Sequence, residues 1–341
     1  MKTWKKIVLL IGILLLAFGL TVLQIAHHRG ESFATGLAGL NGLGTNSAVH
    51  LDYDQKGYTV LKNGEESFSA GEVEALQIDW ISGGVSVERW DGKELVVREK
   101  ASAKLSEDEC LRFRLSGGTL SILPCANKVR ALPEKQLTVL VPQSLTLSEL
   151  TADAASASVA LRGLDVGGTI DLDSASGSLR AEDCRCAALD LDSASGSQHV
   201  LRCEARGAVD ADSASGSITV EELGCLSLNA GSTSGSQKIG ALSCDTLKLS
   251  SVSGSQRVSG LECRTAESSS TSGSVQIDFI AAPAGVDVET TSGSVELSFP
   301  KGTGIDLDYD RTSGSLHGEV LHGPIPVNVE TTSGSLTIRY Q

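Results

Sequence analysis

Methionine occurs once in 341 residues, and aromatic side chains make up 4% of the chain. Large globular cores draw on both, because rings and thioethers fill volume. A core here has to be packed from small and aliphatic side chains instead. Basic residues are also short, at 28 against 42 acidic, for a net charge of −14. Phosphate backbones are bound by concentrated Lys and Arg, so nucleic acid is excluded as a partner class. The carboxylate surplus fits a solvated outer surface, and one that attracts divalent cations or basic partners. A nucleophile, base and orienting group in one cluster is not evident. None of the six His residues (His27, His28, His50, His199, His317 and His322) recurs in register with acids. The first Cys is Cys110, so there is no lipobox near the N-terminus.

The first 30 residues do carry a targeting signal. Lys2, Lys5 and Lys6 precede an uncharged stretch from Ile7 to Ala26. Those residues suffice for a membrane-spanning helix. An uncleaved signal anchor is the favoured reading. A cleaved signal peptide, which usually has a shorter apolar core and small residues at the cut, is the alternative. The positive flank assigns residues 1–6 to the cytoplasm as a tail and residues 27–341 to the outside, as a single-pass cell-membrane protein. Residues 27–72, with Gly36, Gly39, Gly42 and Gly44, read as a stalk or linker.

From Val73 the pattern turns to short strands with period-2 burial, as in Leu76-Gln77-Ile78-Asp79-Trp80 and Val85-Ser86-Val87-Glu88. Residues 73–150 read as an irregular β segment opening the array. Residues 151–341 are regular. A Ser-Gly-Ser triplet recurs at Gly177, Gly196, Gly216, Gly235, Gly254, Gly273, Gly293, Gly314 and Gly334, with a degenerate first copy at Ser156-Ala157-Ser158. The spacing is 19–21 residues. Such a period means one supersecondary unit per repeat, stacked on its neighbours. Within a unit, Val286, Val288 and Thr290 alternate with outward groups, and Val295, Leu297 and Phe299 follow Gly293. Two strands therefore flank a Ser-Gly-Ser corner, where Gly supplies positive φ or very close backbone approach. The fold expected is all-β: a single-stranded parallel β-solenoid (β-helix) of about ten rungs. At about 4.8 Å per rung it would run roughly 50 Å. A propeller blade needs about 40–50 residues, and a Ser/Gly linker lacks aliphatics in fixed register.

The segment Leu137 to Leu150 (LTVLVPQSLTLSEL), the Ser82-Gly83-Gly84-Val85-Ser86-Val87 stretch and the repeated Ser-Gly-Ser rungs resemble the bacterial "putative adhesin" domain-of-unknown-function family (family 4097), over about Val73 to Gln341. The resemblance implies a parallel β-solenoid exposed at the cell envelope, and it brings no catalytic residues. The cysteine content departs from the family's pattern.

Eight cysteines remain to be explained. Cys184 and Cys203 each fall seven residues after a repeat Gly; Cys186, Cys225, Cys244 and Cys263 fall nine after. Equivalent positions on adjacent rungs lie about 4.8 Å apart, within the Cα range of about 4.4–6.8 Å that a disulfide accepts. Candidate bridges are Cys184–Cys203, Cys225–Cys244 or Cys244–Cys263, and Cys110–Cys125 in the cap region. The competing reading is a reduced thiol ladder packed as small apolar groups. Zinc at Cys184-x-Cys186 is weakened by the lack of a suitably spaced His.

Two acidic rows also emerge: Asp171, Asp190 and Asp210, and Asp173, Asp192 and Asp212. Like charges on neighbouring strands repel, so the rows are either solvated or hold a cation such as calcium. The Gly-Gly-x-Gly-x-Asp signature of calcium β-rolls is missing, and no other cofactor is expected. The function expected is a non-catalytic scaffold or adhesin-like binding module, with an envelope protein or a glycan as partner. A regulatory accessory of envelope-stress sensing is the alternative. A polysaccharide-acting enzyme is the remote one, since Arg180, Arg185 and Arg202 are the few basic residues near the Asp rows.

Overall fold

The computed structural model describes residues 49–129 and 132–341. The tail at 1–6, the anchor at 7–26 and residues 27–48 of the expected stalk lie outside the described residues. Among the described residues every regular element is a strand, and no helix is long and apolar enough to cross a membrane. The described residues divide into two compact units, one of residues 49–56 with 125–129 and 132, the other of residues 57–124 with 133–341. In the first, Val49–His50 pairs antiparallel with Lys128–Val129. There the Tyr53 N–H donates to Asn127 Oδ1 at 3.1 Å, and Asn127 Nδ2 returns a bond to the Tyr53 carbonyl at 2.8 Å.

The second unit is a parallel β-solenoid. Each rung runs through a strand, the Ser-Gly-Ser corner and a second strand. Strands before the corner stack in register, as in Ile170↔Leu189, Leu189↔Val209, Val209↔Leu228 and Leu228↔Leu247. Strands after it do the same, as in Val200↔Val220, Val220↔Ile239 and Ile239↔Val258. Alternate side chains point inward, and these aliphatics are almost wholly removed from water. Each buried Leu, Ile or Val contributes about 1.5–3 kcal/mol. Toward the C-terminal end the column also takes aromatics, with Phe279 stacked on Phe299 at 5.2 Å between ring centres.

The glycines of the repeat lie in a single line. A Cβ on Gly196 would fall on the Gly177 carbonyl, and one on Gly216 on the Gly196 carbonyl, all below the 3.0 Å that real Cβ atoms respect. Gly235, Gly254, Gly273 and Gly293 continue the line. Of the two reasons for Gly at this corner, close approach is the one that applies: only Gly314 has a positive φ, at 127°. The residue three before each Gly fixes the corner. The hydroxyls of Ser174, Ser213, Ser232, Ser251 and Ser270 accept the N–H of Gly177, Gly216, Gly235, Gly254 and Gly273 at 2.7–2.9 Å. These serines are buried.

A second corner follows six residues after the first. Gly163, Asp183, Arg202, Glu222, Ala241 and Gly260 occupy it, with φ of 67°, 54°, 50°, 55°, 48° and 66°. Four of the six carry a Cβ in the left-handed region, which costs about 1–2 kcal/mol each. Ala241→Gly is therefore expected to raise stability by about 0.5–1 kcal/mol after the entropy cost of Gly. Gly260→Ala should lower it by a similar amount. Urea midpoints of the two variants check this, and equal shifts of one sign would contradict it.

Both ends of the column depart from sequence order. At the N-terminal end, Ala75–Trp80 pairs with Thr119–Leu123 on one side and Glu149–Ala154 on the other. Gly83–Trp90 likewise lies between Lys135–Pro142 and Ser158–Arg162. Antiparallel strands close this end: Glu94–Ala101 on Lys135–Pro142, Arg112–Ser116 on Thr119–Leu123, then Glu65–Ser69 and Thr59–Val60. Part of the segment expected as linker is thus sheet.

At the C-terminal end, Ile325–Ser333 lies between Gly285–Thr290 and Ile305–Ser313. Leu336–Tyr340 lies between Val295–Phe299 and Leu316–His317. Leu336–Tyr340 is therefore an interior strand rather than an open edge. The final strands are interior, and the outer edge is Ile305–Ser313, where Asp306, Asp308, Asp310 and Arg311 supply the charges that discourage edge pairing.

A buried ion pair sits at the N-terminal end of the solenoid. Lys135, 1% exposed, donates to Glu99 Oε1 at 2.7 Å, to the Glu109 carbonyl at 2.7 Å and to the Pro124 carbonyl. Its ammonium lies 5.0 Å from the centre of the Trp80 ring. Glu99 in turn accepts the Leu111 N–H at 3.1 Å.

Candidate functional site

The two acidic rows form as the repeat spacing implied. Asp171, Asp190 and Asp210 are consecutive register partners, and so are Asp173, Asp192 and Asp212. The second row extends further than the repeat disclosed. Asp153 pairs with Asp173 and Asp79 with Asp153, so five aspartates stand in one line. Asp79 was visible as an outward position of its alternating strand, but its register was not. On the other side the rows stop abruptly. Asn229 Nδ2 donates to Asp210 Oδ1 at 2.6 Å, and the Asp212 carboxylate fills the space a side chain on Gly231 would need.

Crowding changes the chemistry of this face. Asp190 is pushed up to about 6, Asp192 to about 7 and Asp212 to about 6, first by partial burial and then by the neighbouring aspartates. The folded chain holds protons that the unfolded chain, with aspartates near 3.8, releases. Stability is then greatest at the acid side of this window and falls as pH rises through about 6 to 7. Asp192→Asn should stabilise at pH 8 by on the order of 1 kcal/mol and by clearly less near pH 5, where the folded chain still keeps the proton. Thermal melts at both pH values, at low salt, test this. A variant equally stabilised at both would show that charge is not the cause.

The calcium candidates Asp171, Asp173, Asp190, Asp192, Asp210 and Asp212 therefore share one face. Among the described residues no group of three or more His, Cys, Asp or Glu side chains is placed to hold a metal ion. In-register strands repeat like groups about 4.8 Å apart in a line, whereas calcium needs six to eight oxygens converging at about 2.3–2.6 Å.

The basic residues lie elsewhere. Arg180 and Arg202 stand on the strands after the Ser-Gly-Ser corner and close on acids there. Arg202 bonds Glu182 at 2.6 Å and Asp183 at 2.7 Å, and Arg180 and Arg162 bond Glu182 at 3.2 and 3.1 Å. Those hydrogen bonds, Arg202's first, hold the Glu182 carboxyl below its usual range. Arg185 pairs with Glu204 at 3.4 Å and Asp165 at 3.7 Å.

Cys110 is partly exposed and Cys125 buried, both as free thiols, and the six cysteines of the repeat fall into a pair, a ladder of three and the separate Cys186. Cys184 and Cys203 are register neighbours, 1% and 4% exposed, and their thiols share a hydrogen bond that raises Cys184 and lowers Cys203. Cys186 faces Ala205 rather than a thiol. Cys225, Cys244 and Cys263 stand on three consecutive rungs. Cys244 pairs with Cys263, and the Cys225 N–H donates to the Ser243 carbonyl, which sets Cys225 beside Cys244. An open pocket of about 390 Å³ is lined by all three cysteines, together with Asp245, Glu262 and Arg264.

No curated protein matches the chain. Among solved structures, a "putative lipid binding protein" from Parabacteroides distasonis is 17% identical, with 85% of this chain and 99% of that chain covered, at a TM-score of 0.40. A "putative adhesin" from Bacteroides fragilis is 14% identical, with 84% and 98% covered, at a TM-score of 0.35. A second "putative adhesin", from Parabacteroides distasonis, is 14% identical, with 83% and 100% covered, at a TM-score of 0.39. Residues 203–334 match the model of the family described as Toastrack DUF4097. Over those rungs the chain is similar to the family that its Ser-Gly-Ser repeats resembled in sequence.

Proposed function

We propose that this chain is a non-catalytic binding module held at the cell envelope by an anchor at residues 7–26, with the β-column outside and the Asp face as its contact surface. The observation that carries the reading is the unbroken register of Asp79, Asp153, Asp173, Asp192 and Asp212. Equivalent carboxylates at a fixed spacing offer a basic ligand many weak, identical contacts, which add by avidity. The lysines before the apolar stretch support the anchor and its orientation.

The test is binding of the full-length chain to a panel of glycans, matrix proteins and basic peptides, alongside the triple variant Asp173→Asn, Asp192→Asn, Asp212→Asn. The expected result is a basic ligand whose binding weakens at least about tenfold in the variant and falls with salt. Equal binding by both forms would remove the Asp face from the function. A ligand lost only when residues 1–48 are deleted would favour the envelope-stress accessory instead.

A further inference from the structure

The three-thiol ladder differs from the Cys184–Cys203 pair in lining a surface pocket. Cys184 and Cys203 are sealed in the core, whereas Cys225 and Cys244 are half-exposed and Cys263 is 7% exposed at the floor of the same pocket. Its order along the column is fixed: Cys225, then Cys244, then Cys263. Adjacent members lie one strand spacing apart, about 4.8 Å, within disulfide reach. The outer two lie two spacings apart, about 10 Å, beyond the 6.8 Å or so that a disulfide spans without backbone movement. Ala205 separates Cys186 from the ladder.

We propose that Cys225, Cys244 and Cys263 form a thiol–disulfide exchange site, in which central Cys244 attacks a low-molecular-weight disulfide and either neighbour resolves the product. The Cys244 thiolate attacks one sulfur of R–S–S–R, forming a Cys244–S–S–R mixed disulfide and releasing R–S⁻. Cys225 or Cys263 then gives up its proton and attacks the Cys244 sulfur, expelling the second R–S⁻. The sum is two protein thiols plus R–S–S–R giving one protein disulfide plus two R–SH, with one thiol of the three left reduced.

Only Cys244 has a ladder thiol on the rung to either side, so it alone can hand its mixed disulfide to either neighbour. The hydrogen bond from the Cys225 thiol lowers Cys244 and raises Cys225, while burial pushes Cys263 up to about 12. A thiolate attacks and a thiol does not.

The experiment treats the reduced full-length chain with oxidised glutathione, blocks the remaining thiols with iodoacetamide and maps tryptic peptides. Lys238, Lys248, Arg257 and Arg264 put each ladder thiol on its own peptide. The expected result is loss of two titratable thiols, with Cys225–Cys244 and Cys244–Cys263 linkages both present. Cys225–Cys263 should be absent, and Cys184 and Cys203 untouched until urea is added. Cys244→Ser should abolish every intramolecular linkage of the ladder and leave glutathione on Cys225 or Cys263. Ladder thiols no faster than Cys184, a Cys225–Cys263 bond, or a persistent glutathione adduct on Cys244 would each overturn the proposal. A circular-dichroism spectrum unchanged in Cys244→Ser keeps misfolding from mimicking the expected loss.

Discussion

Alanine at Gly235 should cost at least about 3 kcal/mol, far beyond an ordinary surface Gly→Ala change. The new methyl group would meet the Gly216 carbonyl carbon and oxygen, and both belong to backbone pinned by the neighbouring rung. The Ser232 hydroxyl, which accepts the Gly235 N–H at 2.7 Å, crowds the same point. The corner therefore has to open, and each rung contacts mainly its neighbours, so the damage falls on the interfaces above and below. Gly224 is the internal control. It sits in a strand of the same column, and a methyl group added there would meet nothing within 4 Å. Gly224→Ala should shift stability by less than about 1 kcal/mol. Urea unfolding of both variants decides the matter, and equal midpoints would refute close approach as the reason for the glycine line.

The second large effect is expected at Lys135. Lys135→Met removes the only cation bonded to Glu99 among the described residues and leaves that carboxylate buried, at 7% exposure. It also strips a donor from the Glu109 and Pro124 carbonyls. Breaking a buried pair from one side costs about 3–5 kcal/mol, whereas replacing both partners with apolar groups is often close to neutral. The double variant Lys135→Met, Glu99→Leu should therefore recover most of the loss. Denaturation of the wild type, both single variants and the double variant completes the cycle. If the double variant is as unstable as Lys135→Met, the penalty arises from packing or from the bereft carbonyls rather than from the stranded charge.

Much of the column was legible because its chemistry repeats. A Gly that must meet another backbone, aliphatics in alternation and aspartates at one offset all recur at fixed distances from Gly177, Gly196 and Gly216. The second corner was not legible. Asp183, Arg202, Glu222 and Ala241 have no shared side-chain character, and only Gly163 and Gly260 hint at the backbone they adopt. Gln198, Gln237 and Gln256 were illegible in another way. They are polar side chains, yet they take the inward place held elsewhere by Leu179, Ile218 and Val275, and are at most 1% exposed. Gln237 reconciles the two by donating to the Ala230 and Ser250 carbonyls at 2.9 and 2.8 Å. The order of the end rungs was hidden by the repeat itself. Val327 pairs with Val286 on one side and Leu307 on the other, and such like neighbours give a sequence pattern no basis for ranking one stacking order over another.

The displaced rung at the C-terminal end has a practical corollary for anyone handling this protein. Gln341 exchanges backbone hydrogen bonds with Phe299 and Lys301, so a tag or fusion partner attached there would emerge from the column's flank, one layer short of its tip. Cutting the chain after Pro324 would take away the sole strand partner that Ile305–Ser313 has among the described residues. The last two layers should therefore be lost together, as one cooperative block, however few residues the truncation removes from that final pass.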